Sequence, residues 1–95
     1  DTFKLKDGQA VRMVGINAPD RGEKGWEEAS HYLKNLIEGE EVRLEYDVYQ
    51  DDKFGRILAY VWEQCQTQIG CNNGERMVNW LMVKKGLAKV VVYRG

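Results

Sequence analysis

Three places in the chain gather side chains that can do chemistry: Asp1, the run from Arg12 to Asp20, and the stretch "DDKFGR" that ends at Arg56. Two arginines can clamp one phosphate, because the guanidinium fork matches phosphate oxygens. Two carboxylates and an amide can hold a hard cation through oxygen. A further carboxylate can serve as general base toward a water. Together these parts fit phosphodiester hydrolysis, provided that the fold brings them to one place. Each has a plainer reading as well. Arg12 and Arg56 can form structural ion pairs, Asp20 can be a loop or helix-start carboxylate, and Asn17 can be a turn residue bonding its own backbone.

The elements that must position these residues follow from periodicity. Residues 1–6 alternate weakly, and "KDGQ" carries an Asp-Gly hairpin signal. Residues 10–16 read as the returning strand, and 17–25, with Pro19, two glycines and many charges, as a loop. From Trp26 the period becomes helical: Trp26, Ala29, Leu33, Leu36 and Ile37 share one face, and Gly39 marks the end, so a helix is expected over 26–38. Residues 42–49 alternate strictly and give the clearest strand. A turn with Asp51 and Asp52 leads to a second long strand over 56–63. A polar loop over 64–74, a short helix over 76–85 and a last strand over 87–93 complete the chain. Trp80 and Val83 fall off the apolar stripe of that second helix. The order is β-β-α-β-β-α-β, which suggests a small barrel or a curled α+β sheet.

With 95 residues there is room for one domain, spanning 1–95. Its abrupt beginning and end read as those of a piece cut from a longer protein. The formal net charge is −1. A global electrostatic argument for a polyanion partner therefore fails, and any such site must come from local clustering. Lys84, Lys85, Lys89 and Arg94 form one loose basic group. The longest apolar run, Ile57 to Trp62, has six residues, whereas a membrane-spanning helix needs about 20. His31 lies on the polar face of the first helix and reads as a solvated residue. Cys65 and Cys71 flank five residues. Without nearby histidines they make a poor zinc site, and a disulfide and two free thiols are equally open.

The segments "DTFKL", "VRMVGINAPD", "DDKFGRILAYVW" and "MVNWLMVKKGLAKV" come in the order and spacing of the staphylococcal nuclease family, and the chain resembles that family over nearly its whole length. The resemblance implies a mainly-β or α+β fold: an OB-type five-stranded Greek-key barrel with two packed helices. It implies a Ca²⁺-dependent nuclease acting on DNA and RNA, preferably single-stranded. The metal ligands it implies are Asp1, Asn17 and the main-chain carbonyl of Ala18, with Asp20 as general base and Arg12 and Arg56 as phosphate-binding arginines. Lys53 and Phe54 fall where the family contacts nucleotides, and Lys84 and Lys85 add to the expected nucleic-acid surface. The implied mechanism is in-line attack by a water that Asp20 activates.

Two positions depart from the family pattern. Asn17 stands where the family has a carboxylate ligand, so the site loses one negative charge and weaker calcium binding is expected. Asp20 stands where the family has glutamate and is shorter by about 1.5 Å. A misplacement of about 1 Å can cost about 100-fold in rate. The competing expectation is therefore a catalytically degraded OB module that binds nucleic acid or protein. A monomer, secreted or held in the cell envelope, is expected from family habit and the cysteine pair.

Overall fold

The computed structural model describes residues 1–51 and 55–92, with side chains outside 47–51. In chain order the elements are β1 (Thr2–Lys4), β2 (Ala10–Met13), β3 (Ile16–Asn17), α1 (Trp26–Ile37), β4 (Val42–Asp51), β5 (Ile57–Gln64), β6 (Glu75–Met77), α2 (Val78–Lys84) and β7 (Lys89–Val90). The expected hairpin is present. Gln9 N–H donates to Asp7 Oδ1, Gly8 takes φ 92°, and Thr2 pairs with Arg12 across antiparallel β1 and β2.

β2 then runs parallel to β5, β4 and β6 flank β5 antiparallel, and β3 pairs with β7 in a separate two-stranded sheet. This is a mixed sheet with two helices. Among the described residues the strand path β1-β2-β5-β4 does not close into a barrel.

Three expected boundaries are corrected. The last strand, expected over 87–93, is confined among the described residues to Lys89–Val90, where it meets β3. The strand expected over 10–16 breaks in two, because Gly15 adopts φ 77°, a left-handed conformation that L side chains resist. Val14 N–H still donates to Ala59 O of β5, while Gly15 O accepts from Val91 N–H beside the second sheet. One residue thus transfers the chain from one sheet to the other. The helix expected over 76–85 is shorter. Arg76 and Met77 are extended and pair with Glu63 and Trp62, and α2 starts at Val78. Val83, expected off the core stripe, is half-buried and packs against the core.

α1 follows its sequence signal to within one residue. Ala29, Leu33 and Ile37 are buried, and Gly39 follows the C-cap Glu38 at φ 76°. They meet Val11, Met13, Ile16, Ala59, Val61, Val78 and Met82 in one apolar core. Asn79, 3 % exposed, is tied into this core by three bonds: its Oδ1 accepts from Val61 N–H at 2.9 Å, and its Nδ2 donates to Val14 O at 2.9 Å and Ala59 O at 3.5 Å.

At the far end of β5, buried Glu63 pairs with Arg76. Cys65 and Cys71 form a disulfide with Cα atoms 5.9 Å apart, which closes the loop between β5 and β6. Trp80 lies on that loop. A Cβ at Gly70 would stand 2.5 Å from its ring, so only glycine lets the two approach. Arg43 of β4 grips Glu75 with three hydrogen bonds and covers the Trp62 ring at 5.3 Å.

Candidate active site

Asp1 immediately precedes β1, and antiparallel pairing with β2 sets it beside Arg12 and Met13; Met13 N–H donates to Asp1 O. Its side chain is held from two directions. Ala18 N–H donates to Asp1 Oδ2 at 2.9 Å, and Arg12 Nη2 stands 3.4 Å from the same oxygen. Arg12 in turn donates to the main-chain oxygens of Met13 and Ile16, the latter at 2.8 Å. The guanidinium therefore spans the bend at Gly15 and fixes the corner on which Asn17, Ala18 and Asp20 ride. Only 13 % of the Arg12 side chain is exposed, which makes these charge-assisted bonds strong.

Arg56, just before β5, reaches the same place from the other side, with Nη1 3.3 Å from Thr2 Oγ1. The two arginines, distant in sequence, thus converge on the Asp1–Thr2 pair.

The loop after Ala18 is short and internally braced. Asp20 N–H donates to Glu23 Oε1 at 2.6 Å, Glu23 N–H donates to Asp20 O at 2.9 Å, and Trp26 N–H donates to Glu23 O at 3.1 Å. Glu23 is occupied in holding this turn, which leaves the Asp20 carboxylate exposed.

Asp1 and Arg56 open onto a cleft of about 1320 Å³ between β1 and α1, whose lining does not include Arg12. Asp1, Ala18, Asp20 and Arg56 line one mouth, together with Arg21 and Trp26. Phe3, Leu5, Leu33 and Ile37 line the cleft with apolar side chains.

The remaining expected site residues fall elsewhere. Asn17 is exposed in β3, where it pairs with Lys89, and it does not line the cleft. Lys84 and Lys85 stand at the end of α2, and neither lines the cleft. The Lys85 ammonium lies 5.9 Å from the centre of the Tyr32 ring on α1. Lys53 and Phe54 lie outside the described residues, as do Asp52 and Arg94. Sequence reasoning missed Arg21, Glu23 and Trp26 as parts of this corner. Their signal was the brevity of the loop, since Gly25 packs on Pro19 and so keeps the start of α1 beside Asp20.

A family model described as staphylococcal nuclease homologue matches residues 10–95. The chain belongs to the staphylococcal nuclease family. This nuclease-family chain is 36 % identical over 97 residues to a thermonuclease of Staphylococcus hyicus, an alignment covering 94 % of this chain and 52 % of that protein. It is 35 % identical over 96 residues to a thermonuclease of Staphylococcus intermedius, covering 93 % and 51 %. It is 31 % identical over 93 residues to an Escherichia coli protein named an uncharacterized endonuclease, covering 95 % and 54 %. The chain spans about half the length of these curated relatives.

Of the oxygens that suit a hard cation in kind, those of Asp1, Asp20 and the Ala18 carbonyl belong to residues that line the cleft, and the Asn17 amide does not. Among the described residues no three His, Cys, Asp or Glu side chains form a metal-binding group. A cation held here would take part of its shell from neutral oxygens.

Proposed function

We propose that the chain is the catalytic domain of a nuclease that hydrolyses phosphodiester bonds of DNA or RNA, preferably in single strands. The observation that carries the reading is the convergence of Arg12 and Arg56 on Asp1–Thr2, at a cleft mouth that Asp20 also lines. Arg56 is the cation that meets the scissile phosphate and stabilises charge as the pentacovalent transition state develops. Arg12 lends its charge from behind Asp1 and holds the bend, so that Asp1 and the Ala18 carbonyl keep their relative positions. Asp20, exposed at the mouth, takes the proton of the attacking water; as the new P–O bond forms the P–O5′ bond breaks, leaving a 3′-phosphate and a 5′-oxygen that takes a proton from solvent. Asp1, Asn17 and the Ala18 carbonyl are the residues that would hold Ca²⁺, whose chemistry would be to polarise the phosphoryl oxygen.

The two sheets are read as parts of one OB-type barrel. The passage of the chain between them at Gly15 and their shared core support this. The Cys65–Cys71 bond supports an oxidising compartment, secreted or in the cell envelope. Lys53, Phe54, Lys84 and Lys85 are proposed to meet the nucleic acid beyond the cleft mouth.

The test is cleavage of denatured DNA in Ca²⁺ and in EDTA, beside Arg56→Ala. Calcium-dependent cleavage is expected, falling about 100- to 1000-fold in the variant, the loss typical of one preorganised charge-stabilising donor. Salt-sensitive binding without cleavage would instead support a nuclease-like binding module.

A further inference from the structure

The residues at the cleft mouth that the hydrolytic reading leaves unused are Arg21 and Trp26. The Arg21 guanidinium lies over the Trp26 ring, 5.2 Å from its centre. Arg21 is exposed and Trp26 half-buried, so the cation lies on the solvent side of the ring. Both line the same cleft as Asp1, Asp20 and Arg56.

The stack is fixed to the catalytic corner by short covalent and hydrogen-bonded links. The reciprocal Asp20–Glu23 bonds hold the turn, Trp26 N–H donates to Glu23 O, and Gly25 stands against Pro19. Whatever sets Asp20 also sets the ring.

A guanidinium plane backed by an aromatic ring offers a flat, positive surface of the size of a nucleobase. Every base has a π-face, so stacking there tolerates any sequence, but it needs a base whose face is uncovered. In a duplex both faces are taken. We infer that the Arg21–Trp26 pair is a stacking platform that receives an unpaired nucleobase next to the phosphate at Asp20 and Arg56, and so selects single-stranded over duplex substrate. This rests on the nuclease reading above, and it assigns the strand preference to two particular side chains.

The experiment compares wild type, Trp26→Ala, Trp26→Phe and Arg21→Lys on a thymidine hexamer and on a blunt hairpin duplex, with Ca²⁺. Trp26→Ala should raise KM for the hexamer about ten-fold, the size of one lost base stack, with little change on the duplex. Trp26→Phe should recover most of the loss, and Arg21→Lys, which keeps the charge but not the plane, should not match wild type. An unchanged KM in Trp26→Ala, or an equal loss on both substrates, overturns the platform while leaving the nuclease intact. A parallel titration in EDTA follows tryptophan emission as the hexamer is added. Quenching present in wild type and lost in Trp26→Phe supports the platform even if no cleavage is seen, an outcome that would sink only the hydrolytic reading. Cleavage without such quenching overturns the platform.

Discussion

At the β5–β6–α2 end, Glu63 is 6 % exposed against Arg76, and Asn79, 3 % exposed, spends its amide on three main-chain groups. At the cleft mouth, Asp20 is exposed, Arg56 is half-buried, and the Asp1 side chain, 14 % exposed, lines the cleft. Both regions are rich in polar groups. In the first, each group is closed by the protein itself, so removing it costs folding energy. In the second, the groups are oriented by the protein toward a cleft, and on the proposed reading removing one costs chemistry. Buried polar groups without partners are expensive, which is why the two kinds of region are spatially separate.

The comparison can be broken in order of effect. Arg76→Met leaves Glu63 buried without its cation and should destabilise the fold by about 3–5 kcal/mol. Thermal denaturation should then move down by at least about 12 °C for a domain of this size. Cleavage per folded molecule at low temperature should stay near wild type. A variant with wild-type melting would show that this pair is not what closes that end. Next in size, Asn79→Leu strands Val61 N–H and Val14 O and should cost about 2–3 kcal/mol, read from urea midpoints. Because Val14 O adjoins the Arg12 bend, a loss of activity beyond the loss of folded protein would blur the boundary between the two regions.

Asn17→Asp sharpens the other side. It adds one negative charge to the oxygen set, and calorimetry should show Ca²⁺ binding tightened by about ten-fold, since such affinities follow ligand charge. Unaltered affinity would mean that position 17, which does not line the cleft, contributes nothing to the cation. The smallest effect belongs to Arg43–Glu75. Arg43 holds the Glu75 carboxyl below its ordinary range by hydrogen bonding. That contribution to stability is present above the ordinary carboxylate range, near pH 4.3, and is lost as pH falls through the lowered folded value. The difference in melting temperature between wild type and Glu75→Gln should therefore be slight at pH 7 and shrink as pH falls below the ordinary carboxylate range. The pair is largely exposed, and surface bridges contribute little.

Much of this frame was legible before any coordinates. The stripe of Ala29, Leu33 and Ile37 carries its own period, and β4 its own alternation, because both signals are local. The break at Gly15 was not, since a glycine in a strand pattern gives no sign of whether the chain bends until its far partners, Ala59 and Val91, are known. β6 was hidden for a similar reason: three residues in a strand owe their conformation to Trp62 and Glu63, not to their own propensity. Within the candidate site, residue type and family pattern singled out Asp1, Arg12, Asp20 and Arg56, of which Asp1, Asp20 and Arg56 line one cleft. That Arg12 binds two main-chain oxygens was not, because such bonds exist only once the bend has formed.

Gly15 has a consequence for how this protein can change. Its mirror-image backbone turn decides on which side of Asp1 the arginine and the Ala18 amide arrive. Handedness is a property that neither longer side chains nor different ligands can supply. A library randomised at this one position and sorted for function should return glycine above all, whereas libraries at 17 and 20 should return families of graded activity. The substituents of the site are open to revision, and its chirality is not.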